Sequence, residues 1–167
     1  DPNDVGVGEG WQADPSPLRD TIRVPGCWQG QGFGHEGPDE VRDFRIRTRT
    51  FRATYEGTGW YARAFDLPPE WRGRRICMNF GGVHPSAEVW VNGRHAGGND
   101  LPFVPFGFDV TDVVHVGREN VVVVRVHEHN RAFGLAFDWQ GKWSGLYRGV
   151  ELTATGLAGV HRYTYRA

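Results

Sequence analysis

The sequence predicts an all-β fold, an antiparallel β-sandwich of the jelly-roll type. Its composition is the first reason, because 24 Gly and 10 Pro beside a single Met suit short strands joined by tight turns. The second is patterning: short stretches alternate between apolar and polar residues, and none has the apolar periodicity of a helix longer than a turn or two. The length of 167 residues fits one such domain with a sizeable core.

The strand signals begin at residue 44 and continue to the end of the chain. Strict alternation predicts a strand at 44–50, which places alternate Arg side chains on one face. The next strands are predicted at 60–65, before a Pro-Pro pair, and at 75–80, before a Gly-Gly pair. Further strands are predicted at 87–91, 94–96, 103–110, 121–124, 147–153 and 160–165.

Two local patterns fix how these strands pair. Asn92-Gly93 favours the positive backbone angles of a two-residue turn, so it predicts a hairpin between its flanking strands. The run of four valines at 121–124 is apolar on both faces, which predicts a strand covered from both sides.

Three stretches are predicted as loops. Residues 1–20 form a turn-rich arm over a sheet, 26–43 a glycine-rich loop, and 128–145 a long aromatic loop. Long ordered loops in compact domains are usually functional, so binding residues are sought there.

Charge and hydropathy exclude some partners. The formal net charge of -1 provides no field that would draw the protein to nucleic acid or to an anionic membrane. No run of eighteen apolar residues predicts a transmembrane helix, and no signal peptide is present. The compartment is left open: bacterial cytoplasm, periplasm and secretion all fit.

The two cysteines do not have metal-ligand spacing. Cys27 and Cys77 each lie beside apolar residues, which favours two small buried side chains. A single disulfide between them is the alternative, and it would indicate an oxidising compartment.

A series of motifs carries a family resemblance. In order they are Val24-Pro25-Gly26-Cys27-Trp28-Gln29, Gly59-Trp60-Tyr61, Phe80-Gly81-Gly82-Val83, Ala87-Glu88-Val89-Trp90-Val91-Asn92-Gly93, Phe106-Gly107-Phe108-Asp109-Val110-Thr111 and Trp143-Ser144-Gly145-Leu146-Tyr147-Arg148-Gly149-Val150-Glu151-Leu152. The series resembles the N-terminal sugar-binding domain, a galactose-binding-like jelly roll, of glycoside hydrolase family 2, the β-galactosidase and β-glucuronidase type. The resemblance implies a sugar-binding domain over 1–158 and, at 159–167, the start of a link to a following domain. Many motif residues have structural interpretations: Trp90 and Tyr147 are expected to fill the core.

The resemblance implies a catalytic centre that this chain lacks. The family's two Glu carboxylates are expected on a following (β/α)8 barrel, about 5 Å apart in a retaining enzyme. None of the nine Glu here lies in a context resembling those motifs. The chain alone is therefore expected to be non-catalytic, and the parent protein a retaining glycoside hydrolase. No cofactor is expected, and no metal, since His127-Glu128-His129 lacks an evident third ligand.

The candidate sugar contacts lie in two segments, the predicted aromatic loop at 128–145 and the predicted strand at 44–50. In the resembled enzymes an Asp before the Gly-[Ile/Leu]-x-Arg segment contacts sugar hydroxyls, and the candidate here is Asp138, with a solvated loop acid as its alternative role. Trp139 and Trp143 could give a flat apolar face for a pyranose ring, and packing beneath the loop is their alternative role. Arg47 and Arg49 would suit an anionic substrate such as a uronic acid, with a solvated strand face or an interdomain salt-bridge surface as the alternative.

Three functions remain open at this stage. In the first, the domain buttresses the catalytic barrel of a larger enzyme and lends a loop to its sugar pocket, so its partners are a glycoside and the downstream domains. The second is a free-standing carbohydrate-binding module. The third is a protein-docking β-sandwich, because such sandwiches also serve as interaction surfaces.

Overall fold

The computed structural model describes residues 1–36, 53–55, 57–127 and 143–156. In these residues it has nine β-strands, two short 3-10 turns and no α-helix. The strands are β1 (His35–Glu36), β2 (Ala53–Thr54), β3 (Thr58–Phe65), β4 (Arg75–Phe80), β5 (Ala87–Val91), β6 (Arg94–Asn99), β7 (Phe106–Asp109), β8 (Asn120–His127) and β9 (Val150–Thr155).

Two antiparallel sheets face each other across one core. The four-stranded sheet has the order β3-β8-β5-β6 and the three-stranded sheet the order β7-β4-β9, while β1 and β2 form a separate small pair. Alternate residues of β4 and β5 point inward, so Met78 and Phe80 meet Val89 and Val91 in the core. This confirms the predicted antiparallel β-sandwich.

The predicted hairpin and the two-faced strand are both confirmed. Asn92 and Gly93 have φ angles of 51° and 75°, and they join β5 to β6. Strand β8 lies between β3 and β5, with Val124 in the core and Val123 buried on the opposite face. The Asn92 side chain strengthens the turn, since its amide group donates to the Val113 carbonyl at 2.8 Å.

Some strand predictions are corrected and others fall outside the described residues. The strand predicted at 103–110 is shorter, because Pro102 and Pro105 cannot donate ladder hydrogen bonds and β7 begins at Phe106. The strand predicted at 147–153 begins later, at Val150, and ends at Thr155. The predicted strands at 44–50 and 160–165 lie outside the described residues.

The expectation that Trp90 and Tyr147 fill the core is wrong. Trp90 points to the outer face of the four-stranded sheet, where it stacks on Trp60 with ring centroids 5.7 Å apart. The alternation of β5 explains this, because its neighbours Val89 and Val91 take the inward positions. Tyr147 is half-buried and lies in the strand-free stretch before β9.

The cysteines are both free and half-buried, so the disulfide alternative is not found. Cys77 lies on the outer face of β4, opposite Asp109 of β7 and Thr153 of β9. In the described part of the chain no helix is long and apolar enough to span a membrane.

Candidate functional site

One end of the sandwich holds both ends of the segment 128–142. We call this end the rim and define it as residues 26–29, 84–86 and 143–147. The Ser86 hydroxyl donates to the carbonyl of His127, at the end of β8, at 3.0 Å. His84 and Gly145 exchange two backbone hydrogen bonds, of 3.0 and 2.8 Å. The segment that carries Asp138 and Trp139 therefore leaves and returns beside one short turn.

A buried glutamine, Gln29, links this rim to the point where the chain returns from residues 37–52. Gln29 is fully buried, at 0% exposure. Its Oε1 accepts a hydrogen bond from the Ser144 amide at 2.9 Å, and its Nε2 donates to the Tyr55 carbonyl at 3.3 Å. Tyr55 directly follows β2, where the chain returns from residues 37–52. One side chain thus positions the return points of both segments in which sugar contacts are predicted.

Trp28 fixes the backbone beside this glutamine. Its amide donates to the Ser144 carbonyl at 2.9 Å, and its indole Nε1 donates to the Tyr61 hydroxyl. The ring meets Tyr55 edge-on at 5.4 Å and lies against Gly59 of β3. Burial raises the pKa of Tyr61 to about 12, so its hydroxyl is neutral at physiological pH and acts here as a structural acceptor.

Four rings form an aromatic cluster at the rim: His84, Phe103, Trp143 and Tyr147. Trp143 stacks on His84 with centroids 4.2 Å apart and meets Tyr147 edge-on at 5.3 Å. Phe103, in the loop between β6 and β7, stacks on His84 with ring centroids 5.5 Å apart. Aromatic pairs in such geometries contribute roughly 0.5–1.5 kcal/mol beyond their burial. The cluster therefore gives a firm base to the point where residues 128–142 rejoin the sandwich.

The structure locates only one of the five predicted sugar contacts. Trp143 is half-buried in the aromatic cluster, and its contacts are those of a packed side chain. Its indole Nε1 is buried and has no hydrogen-bond partner within the described residues. Asp138, Trp139, Arg47 and Arg49 lie outside the described residues, so their roles stay predictions, as does the role of Trp143 as a sugar platform.

Comparison with known proteins identifies the family. The model for "Glycosyl hydrolases family 2, sugar binding domain" matches residues 1–156. This chain belongs to that family. A β-glucuronidase of Formosa agariphila is 37% identical over 106 residues, which cover 59% of this chain and 11% of the relative. A β-galactosidase of Clostridium acetobutylicum is 32% identical over 145 residues, which cover 81% of this chain and 16% of the relative.

Solved structures agree with this family 2 assignment. A glycosyl hydrolase family 2 member from Bacteroides cellulosilyticus superposes with a TM-score of 0.60 at 28% identity, covering 84% of this chain and 17% of that one. A Ruminococcus gnavus β-glucuronidase in complex with uronic isofagomine gives a TM-score of 0.59 at 28% identity, covering 75% and 18%. The chain thus spans less than a fifth of each of these four relatives.

The family 2 domain holds no metal-binding cluster in the part of the chain that the structure describes. His127, the described member of the His-Glu-His motif, bonds through Nδ1 to the Thr58 hydroxyl. The same nitrogen lies 4.0 Å from an oxygen of Asp4, which is paired with Arg125. These contacts tie the N-terminal arm to the four-stranded sheet. His129 lies outside the described residues.

Sequence reasoning missed the residues that organise the rim. Gln29 and Trp28 stand in the motif Val24–Gln29, but that stretch was predicted only as part of a glycine-rich loop. A polar residue in a loop is ordinarily assigned to the surface, and full burial of Gln29 follows only once two distant backbone groups converge on it. His84 carried no signal, because its ring partners come from separate loops.

We expect the stability of the protein to depend on pH through His84 of the aromatic cluster. Burial lowers the pKa of His84, while its hydrogen bond to the Trp143 carbonyl at 2.6 Å opposes the shift. That bond requires a proton on Nδ1, which the neutral ring supplies. Burial disfavours the second proton, which would charge the ring, so the unfolded chain binds that proton more readily than the folded chain. Stability therefore falls as the pH drops below about 6.5 towards the lower pKa of the folded state.

We therefore expect His84→Gln to reduce the loss of unfolding free energy between about pH 7.5 and about pH 5.5, measured by urea denaturation. His115→Gln is the matched control, since His115 is exposed. An identical pH profile for wild type and His84→Gln would show that His84 titrates normally in the folded protein.

Proposed function

We propose that this chain is the non-catalytic sugar-binding domain of a larger retaining glycoside hydrolase of the β-galactosidase or β-glucuronidase type. In that enzyme it buttresses the catalytic barrel and lends residues 128–142 to the sugar pocket. The joint anchoring by Gln29 carries the proposal, because it holds the return points of both candidate segments at one end of the sandwich. A pocket formed with another domain needs loops whose two ends are held in a defined position.

The predicted residues have suitable chemistry for this role. The carboxylate of Asp138 can accept two charge-assisted hydrogen bonds from sugar hydroxyls. Trp139 and Trp143 offer flat apolar surfaces to a pyranose ring. Arg47 and Arg49 can bind a carboxylate bidentately, which favours a uronic acid. The uronic isofagomine complex of the Ruminococcus gnavus relative supports the same substrate class.

The proposal predicts a large effect of Asp138→Ala in the full-length gene product. Charge-assisted hydrogen bonds contribute about 1.5–3 kcal/mol, so kcat/KM should fall about 10- to 100-fold. The assay compares p-nitrophenyl β-galactoside with p-nitrophenyl β-glucuronide. Asp66→Ala is the control, because Asp66 is exposed and follows β3 at the end away from the rim.

Two results would contradict the proposal. Hydrolysis of either substrate by the 167-residue chain alone would show that it is catalytic. An unchanged kcat/KM for Asp138→Ala, with normal folding, would show that the loop does not contribute to the sugar pocket.

Arg47→Gln combined with Arg49→Gln should lower kcat/KM on the glucuronide more than on the galactoside.

A protein-docking role is the second candidate, and an exposed apolar strip favours it. Leu101, Phe103 and Val104 are 59%, 51% and 46% exposed beside the rim. If this strip docks a protein, Leu101→Ser and Val104→Ser should abolish retention of the partner in a pull-down, while Asp138→Ala retains it. Retention by all of these variants would exclude the strip as the docking surface.

A further inference from the structure

A groove lies on the outer face of the three-stranded sheet, apart from the aromatic cluster. It is open to solvent, and its volume is about 460 Å³. Asn79 of β4 stands at its centre, with Gly107 of β7 on one side and Glu151 of β9 on the other. Gly81, Phe106 and Gly149 line its end near the rim.

Glycines keep this groove open. A Cβ atom at Gly107 would lie 2.6 Å from Asn79 Oδ1 and 3.0 Å from the Met78 carbonyl oxygen, so the floor tolerates no side chain there. A Cβ at Gly149 would meet no atom within 4 Å, and its φ is not positive. The groove therefore has a tight floor at Gly107 and open space at Gly149.

The polar groups of the groove suit sugar hydroxyls. Asn79 Nδ2 donates to the Thr153 hydroxyl at 3.0 Å, which fixes the orientation of the amide. Glu151 is exposed, and its carboxylate has no partner among the described residues. An amide and a carboxylate on adjacent strands can bind neighbouring hydroxyls, because together they offer several acceptors and one further N–H. Pro105 lies beside them and supplies apolar surface, while the Phe106 ring packs inward on Phe80.

We propose that this groove is a second carbohydrate site and that it binds a neutral oligosaccharide. Glu151 is the one ionisable side chain that lines it in the described structure, so it disfavours the carboxylate of a uronic acid. The site is independent of the loop contacts in the proposed function. It would hold a glycan chain against the sandwich while another part of the protein acts on it.

Lactose is the neutral probe and methyl β-D-glucuronide the anionic one. In amide NMR spectra of the isotope-labelled chain, lactose should shift the signals of Gly81, Gly107 and the Asn79 side chain, with a Kd of about 1–10 mM. Asp138→Ala should leave these shifts unchanged, which separates this groove from the proposed pocket. The absence of shifts at these positions up to about 100 mM lactose would overturn the site.

Gly149→Leu tests the groove, because Gly149 lines it and a Cβ atom at this position would meet no other atom within 4 Å. It should weaken lactose binding at least about tenfold. Unchanged binding by a folded Gly149→Leu chain would also overturn the site. Glu151→Gln should lower the ratio of the Kd for the glucuronide to the Kd for lactose. Glu88→Gln, on the outer face of the other sheet, should leave that ratio unchanged, and equal behaviour of the two variants would refute the role of Glu151.

Discussion

Gln29→Leu should lower the free energy of unfolding by about 3 kcal/mol, and the melting temperature by about 6–12 °C. Leucine has a similar volume, so the substitution creates little cavity, and the loss comes from hydrogen bonds. The Ser144 amide loses its partner in a fully buried site, and the Tyr55 carbonyl loses its partner in a partly buried one. A buried polar group without a partner costs about 1–3 kcal/mol, which for two groups gives the expected magnitude.

Gln31→Leu is the matched control for this prediction. Gln31 lies two residues further on. Its Oε1 accepts from the Arg23 N–H at 3.0 Å, and its Nε2 donates to the carbonyls of Arg23 at 2.9 Å and Cys27 at 3.4 Å. The two bonds to Arg23 are exposed, so water can replace them, and the bond to Cys27 is long, so the change should cost less than about 1 kcal/mol. Urea denaturation of the three proteins makes the comparison. Equal losses for the two variants would mean that burial of Gln29 has no energetic consequence.

The anchoring by Gln29 also shows what the sequence could and could not reveal. Alternation, the Asn92-Gly93 turn and the valine run predict the sandwich because they act through near neighbours in the chain. Gln29 acts through partners that are 26 and 115 residues away, so no local pattern marks it. The family motif located the stretch but not the burial of its side chain.

The same distinction explains the errors around the aromatic residues. Period-two alternation gives the two faces of β5 but does not say which face is the core, so the pattern alone could not place Trp90. Its place on the outer face depends on Trp60 of β3, with which it stacks. The site predictions at Asp138, Trp139, Arg47 and Arg49 depend on the family resemblance and lie beyond the described residues.

Gly59→Ala should destabilise the protein by about 3 kcal/mol, because this position has no space for a methyl group. A Cβ atom there would lie 2.3 Å from Cζ2 of Trp28 and 2.7 Å from its Cε2 and Cη2. The indole cannot move away freely, since its Nε1 bonds to Tyr61 and its backbone amide to Ser144. The φ of Gly59 is not positive, so the cost is steric and not conformational. Gly8→Ala, with its nearest contact at 3.5 Å, should be nearly neutral.

A double-mutant cycle isolates this contact. Trp28→Leu removes the ring atoms that the methyl group would strike, and alone it should cost about 3 kcal/mol through the cavity it leaves. In that background Gly59→Ala should cost about 2 kcal/mol less than in the wild type, measured by urea denaturation. Strict additivity would contradict a direct clash between the two positions. A coupling energy of the expected size would show that the missing side chain at Gly59 leaves the space in which Trp28 packs. Trp28 in turn bonds the Ser144 backbone at the base of the loop predicted to meet the sugar.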